Sequence, residues 1–160
     1  TQFKLVASFD DLKECIALHR EALKLRRFPH PDRSTSLSNL PIVLSVRFKD
    51  AGSLNDLNEC IAIQREGLGF MHFPHPDRLG LLLNLTNALS TRFKVKGILE
   101  DLEECIFLYR EALVLTPPPH PNRSGLLNNL ANGLSTQSEV KGSLADLEEC
   151  IFLHREARLD

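Results

Sequence analysis

The chain has 160 residues, 42% apolar and 25% charged, with a formal net charge of -2 and a pI near 6.3. That is enough apolar material for a continuous core, and without a basic excess there is no electrostatic footing for nucleic acid or anionic lipid. No apolar run approaches the roughly 20 residues that span a bilayer, and Thr1-Gln2-Phe3-Lys4 lacks an apolar secretion core.

Along the chain, the string Asp-Leu-x-Glu-Cys-Ile begins at Asp11, Asp56, Asp101 and Asp146, always 45 residues apart. A fixed period in this range marks stacked units that cannot bury an apolar face alone. The first element is a helix over 8–26, opened by Ser8-x-x-Asp11 in the form of a capping box. The same signal opens later helices at Ser53 to Asp56 and Ser143 to Asp146, with Ile98 in place of the serine in the remaining copy and Gly52, Gly97 and Gly142 marking the preceding turns. Leu147, Cys150, Ile151, His154 and Ala157 show the helical spacing of these elements. Each runs for about 17 residues, and one stops before Pro117-Pro118-Pro119, because proline lacks an amide and restricts its predecessor.

A second kind of helix follows His30-Pro31-Asp32, His75-Pro76-Asp77 and His120-Pro121-Asn122. Asp32, Asp77 and Asn122 are expected to cap it, since their side-chain oxygens accept from first-turn amides. Leu126, Leu127, Leu130 and Leu134 carry its apolar period, and no strand pattern occurs. Pro41 falls mid-helix, where a lost backbone bond predicts a kink, and Gly67 and Gly69 weaken the next helix at about 1 kcal/mol each.

The period also sorts the candidate chemistry, since a catalytic site is needed once and a stacking contact in every unit. Cys15, Cys60, Cys105 and Cys150 repeat at one helical position. Equivalent positions in stacked units lie about 10 Å apart, beyond the roughly 7 Å a disulfide tolerates, so reduced, buried thiols are expected, and with them intracellular residence. His30, His75 and His120 are a full repeat apart and cannot share an ion, which leaves them a turn role rather than a metal or acid-base one. His19 and His154, with Gln64 at the same position, are expected to be partly buried, and Arg20-Glu21, Arg65-Glu66, Arg110-Glu111 and Arg155-Glu156 to form a solvated face with contacts between repeats. There is no phosphate-binding glycine loop, no Gly-x-Ser-x-Gly and no unique Ser, His and Asp set. No catalytic residue, metal or cofactor is expected.

Asn84-Leu85-Thr86-Asn87-Ala88-Leu89 and Asn129-Leu130-Ala131-Asn132-Gly133-Leu134 resemble the first helix of a tetratricopeptide repeat, and Cys105-Ile106, Tyr109, Ala112-Leu113 and Pro117 resemble its second. The copies are longer than the family's usual unit and are similar to the expanded repeats of large fungal proteins. The resemblance implies an all-α, right-handed α-α superhelix of seven main helices. Its phase divides a single array over 1–160 into an orphan helix 8–26 and antiparallel pairs 33–71, 78–116 and 123–159. Thr1 then aligns with Thr91, so the chain reads as a fragment of a longer array with open ends.

The resemblance further implies a non-enzymatic, cytoplasmic scaffold that binds a peptide or protein segment in a concave groove. Carried over position by position, the groove residues are Ser38, Ile42 and Ser45; Leu83, Asn87 and Ser90; and Asn128, Asn132 and Ser135. Ile42, Val46 and Leu83 would form an apolar pocket at one end, while the asparagines pair either with peptide backbone or with neighbouring repeats. Ser38, Leu83 and Asn128 stand where chaperone-binding members place Lys or Arg, which disfavours a terminal carboxylate ligand. The alternative function is homo-oligomerisation through the end faces, where the last helix presents Ile151, Phe152 and Leu153.

Overall fold

A computed structural model describes residues 9–27, 30, 32–72 and 75–158, which form seven helices and no strand. They are α1 (Phe9–Leu25), α2 (Arg33–Ala51), α3 (Leu54–Phe70), α4 (Arg78–Lys96), α5 (Leu99–Leu115), α6 (Arg123–Lys141) and α7 (Leu144–Glu156). The chain is divided into two compact units, Thr1–Phe73 with α1 to α3 and Pro74–Asp160 with α4 to α7. Within each unit every helix packs on the next, and this all-α helical repeat comes from side chains whose spacing recurs.

The helix directions are fixed by ion pairs at opposite ends. Arg33, the first residue of α2, donates to the Leu23 and Arg26 carbonyls at the end of α1 and pairs with Glu66 near the end of α3. Arg47, near the end of α2, pairs with Asp56 in the first turn of α3. Successive helices are therefore antiparallel. The second unit repeats the scheme with Arg78 to Glu111, Arg92 to Asp101 and Arg123 to Glu156. Between the helices lie Leu40, Leu44 and Ile61 in the first unit and Leu82, Leu85, Leu89, Leu127, Leu130 and Leu134 in the second, all essentially inaccessible to water. Each such side chain stabilises its unit by about 1.5–3 kcal/mol before the cost of ordering it.

The junctions after α2, α4 and α6 turn on Gly52, Gly97 and Gly142, whose φ values of 67°, 68° and 70° lie in the left-handed region open to glycine. Their amides donate to the carbonyls of Phe48, Phe93 and Ser138 at 2.7 Å, closing the helix ends.

Two expectations about caps are corrected. Asp32, Asp77 and Asn122 precede their helices, but none accepts a hydrogen bond through its side chain. The preceding histidine serves different amides: those of Asp32, Asp77 and Asn122 themselves, rather than those of the first helical turn, donate to Nδ1 of His30, His75 and His120 at 3.1–3.2 Å. The histidine carbonyls accept from Arg33, Arg78 and Arg123, closing a turn. An accepting Nδ1 requires the neutral ring with its proton on Nε2, so these imidazoles are turn-forming acceptors. Of the serine boxes, Ser143 accepts from the Asp146 amide at 3.3 Å, whereas Ser53 makes no side-chain cap and Ser8 lies outside the described residues.

Pro41 does not interrupt α2, which runs 19 residues like α4 and α6. The ring is buried, and its own carbonyl accepts from the Cys60 thiol at 3.6 Å.

Candidate functional site

In the second unit, α4, α5 and α6 enclose a cleft of about 340 Å³. Ser90, Phe93 and Lys94 line it from α4; Leu102, Cys105 and Tyr109 from α5; Asn129, Asn132, Gly133 and Thr136 from α6. Gly133 brings α6 down onto α5: a Cβ there would lie 3.1 Å from Ile106 Cγ1. The same repeat position holds Val43 in α2 and Ala88 in α4.

The floor is chemically quiet. Tyr109 is buried, and its hydroxyl is hydrogen-bonded to the Thr86 side chain, which itself donates to the Leu83 carbonyl at 2.9 Å. Burial pushes the Tyr109 phenol above its ordinary value of 10, partly offset by the Thr86 hydrogen bond. The Cys105 thiol donates to the Thr86 carbonyl at 3.4 Å. Burial, reinforced by the charges of Asp101 and Glu104, pushes that thiol up to about 12. A thiol so placed stays protonated at neutral pH and is a poor nucleophile. Cys60 is raised in the same direction by burial, against a Ser45 hydrogen bond. All four cysteines are free thiols, Cys15 half-buried and the others buried.

The rim is different. Asn129 and Asn132 are exposed, and each offers an amide donor and acceptor. Lys94 is the cleft's one charged lining residue. Thr136 donates its hydroxyl proton to the Asn132 backbone carbonyl at 3.0 Å.

Of the groove positions read from the sequence, Ser90 and Asn132 meet in this cleft. Asn87 is exposed and Leu83 half-buried elsewhere on α4, and Ser135 is half-buried on α6. Asn128 is engaged within its own helix pair, its Oδ1 lying 3.3 Å from His154 Nδ1. Ser38, Ile42 and Ser45 lie on α2 in the first unit; Ile42 and Val46 are exposed, and Ser45 Oγ lies 3.6 Å from Cys60 Sγ. The sequence reading missed Phe93, Lys94 and Tyr109 as site residues. Tyr109 carried a usable signal, being the chain's single tyrosine at a position that holds His19, Gln64 and His154 in the other copies.

Among the described residues there is no group of three or more His, Cys, Asp or Glu side chains that could hold a metal ion. No helix among them is long and apolar enough to cross a membrane.

No protein-family model matches the chain, and no curated protein matches it. Among solved structures it is similar to one of nearly identical TPR-like repeats from a Podosopora anserina chain assigned as a kinesin light chain. The two are 15% identical, the match covers 94% of this chain and 90% of that one, and the TM-score is 0.37. No residue role is carried over from it.

Proposed function

We propose that the chain is a non-enzymatic protein-interaction scaffold that holds a peptide or protein segment across the first helices of its repeats, with the α4–α5–α6 cleft as the anchoring point. The observation that carries this reading is the cleft's division of labour: an apolar floor of Leu102, Phe93 and the Tyr109 ring beneath a rim of amides and hydroxyls. Its volume sits at the small end of ligand pockets, which suits a peptide side chain or two better than a dinucleotide-sized cofactor. Asn129 and Asn132 can pair with the backbone of an extended segment whatever its sequence, and Lys94 favours neutral or acidic segments over basic ones. Ser38, Ile42, Ser45, Leu83, Asn87, Asn128 and Ser135 extend the same reading along the array. The protonated Cys105 thiol supports a binding role over covalent chemistry, and four free thiols agree with a reducing, cytoplasmic setting.

The test is selection of random displayed peptides on the intact chain, with affinities then measured by fluorescence anisotropy. Combining Asn132→Ala with Ser90→Trp, which removes an amide and fills the cleft, is expected to weaken selected peptides by at least about tenfold, or about 1.4 kcal/mol. Glu100→Ala, exposed on α5 and outside both the cleft and the groove positions, should leave them within about twofold. Selected peptides that bind the folded double variant as well as the parent would sink the proposal.

A further inference from the structure

Two phenylalanines stand on an exposed side of the second unit that the fold does not use. Phe107 of α5 is 66% exposed, and Phe152 of α7, one period later, is 64% exposed. The last helix owes this to nothing at the end of the chain, because α5 is packed between α4 and α6 and covers Phe107 no better. Nor does packing call for a ring here: the first unit fills the same position with Ala17 on α1 and Ala62 on α3, both exposed. Val114, seven residues after Phe107 and so on the same stripe of α5, is exposed as well and replaces Lys24 and Gly69 of those copies. Aromatic side chains left in water without a packing role are the mark of an interface.

An ion pair ties the two rings into one surface. Arg110, three residues after Phe107, donates to Glu149, three residues before Phe152, at 2.9 Å, and the two side chains stay 50% and 39% exposed. Since successive helices are antiparallel, α5 and α7 run parallel with this pair crossing between them. We infer that Phe107, Arg110, Glu149 and Phe152 form an isologous interface joining two copies of the chain. A twofold axis through the ion pair lays each α5 antiparallel across the α7 of the other copy. Each Phe107 then meets the partner's Phe152 and each Arg110 comes beside the partner's Glu149, so four charges alternate in sign between two pairs of stacked rings. The pair is neutral as a whole, which gives a strongly acidic or basic segment little to hold and favours the face's own match. Two rings about two-thirds exposed can bury on the order of 250 Å². That is about a third of the roughly 800 Å² each partner contributes to a stable interface, so a weak, concentration-dependent dimer is expected. None of these four residues lines the α4–α5–α6 cleft, which leaves the peptide-binding reading independent of this one.

Sedimentation velocity of the intact chain, from low to high micromolar, is expected to show a monomer–dimer equilibrium. Phe107→Ala and Phe152→Ala each install the residue the first unit already carries, so the thermal melt of the dilute chain should hold while dimerisation weakens at least about tenfold. Arg110→Glu should weaken it severalfold, and exchanging both charges in one chain, Arg110→Glu with Glu149→Arg, should restore it. The twofold arrangement has its own signature under mild oxidation: a mixture of Phe107→Cys and Phe152→Cys chains should cross-link well beyond either chain alone. A chain that stays monomeric at high micromolar concentration would overturn the inference. So would a dimer indifferent to Phe107→Ala, or one trapped equally well from either cysteine chain by itself.

Discussion

The α4–α5 and α6–α7 junctions share one backbone and differ in what closes it. Both turn on a left-handed glycine and begin the next helix two residues before an aspartate. In the first, Asp101 is buried and receives two hydrogen bonds from Arg92, at 2.7 and 2.8 Å. In the second, the arginine is replaced by Gln137 and the next residue, Phe93, by Ser138. Asp146 is then only half-buried, Ser143 caps its amide, and Ser138 Oγ donates to the Ser143 carbonyl at 2.7 Å. An ionic clasp and a pair of hydroxyl hydrogen bonds serve the same turn. They differ in what is lost when one partner goes, since an orphaned buried charge costs far more than an unmade cap.

The sharpest way to break the comparison is Asp101→Ala, which removes the carboxylate that accepts from the Arg92 guanidinium. Urea denaturation should show a loss of about 3 kcal/mol, the low end for a broken buried pair because Arg92 keeps some water contact. Replacing both partners with Met and Leu should return stability to within about 1 kcal/mol of the parent, since the pair mainly offsets its own desolvation. A smaller effect is expected from Ser143→Ala, about 1 kcal/mol in the same assay. Ser53→Ala, which removes a hydroxyl that caps nothing, should stay within about 0.5 kcal/mol. The smallest is a gain: Gln137→Arg would rebuild the clasp against Asp146 and raise stability by about 0.5 kcal/mol, limited by the solvent that reaches this aspartate. No change in thermal midpoint would show that the junction needs more than the missing guanidinium.

The same contrast explains what was legible in the sequence. Helix number and extent were readable because apolar spacing and glycine at each turn are local signals that recur. Of the four cysteines expected to be buried from their shared phase, Cys60, Cys105 and Cys150 are, while Cys15 is only half-buried. The capping chemistry was not readable, since Asp32, Asp77 and Asn122 have capping side chains yet make no side-chain cap, while their own amides turn back onto the histidine ring two residues earlier. The Arg–Asp clasps were hidden for a related reason: Arg47 and Arg92 reach partners nine residues away across a turn, a spacing with no periodic signature. The Arg20 and Arg110 face does carry contacts between repeats, to Glu59 and Glu149. In the cleft, Ser90 and Asn132 were carried over from a resemblance, whereas Phe93 and Lys94 of α4 join them only through the packing of three helices.

Arg123 links three helices through one side chain. Its guanidinium donates to the Leu113 and Thr116 carbonyls at the end of α5, it begins α6, and it pairs with Glu156 at the end of α7. Arg33 does the same for α1, α2 and α3. A helix that frays at such a point strips a charge from both neighbours, so local opening is coupled across three elements rather than confined to one. The cooperative folding unit is therefore longer than the sequence repeat, and half of one repeat cannot melt without loosening the next.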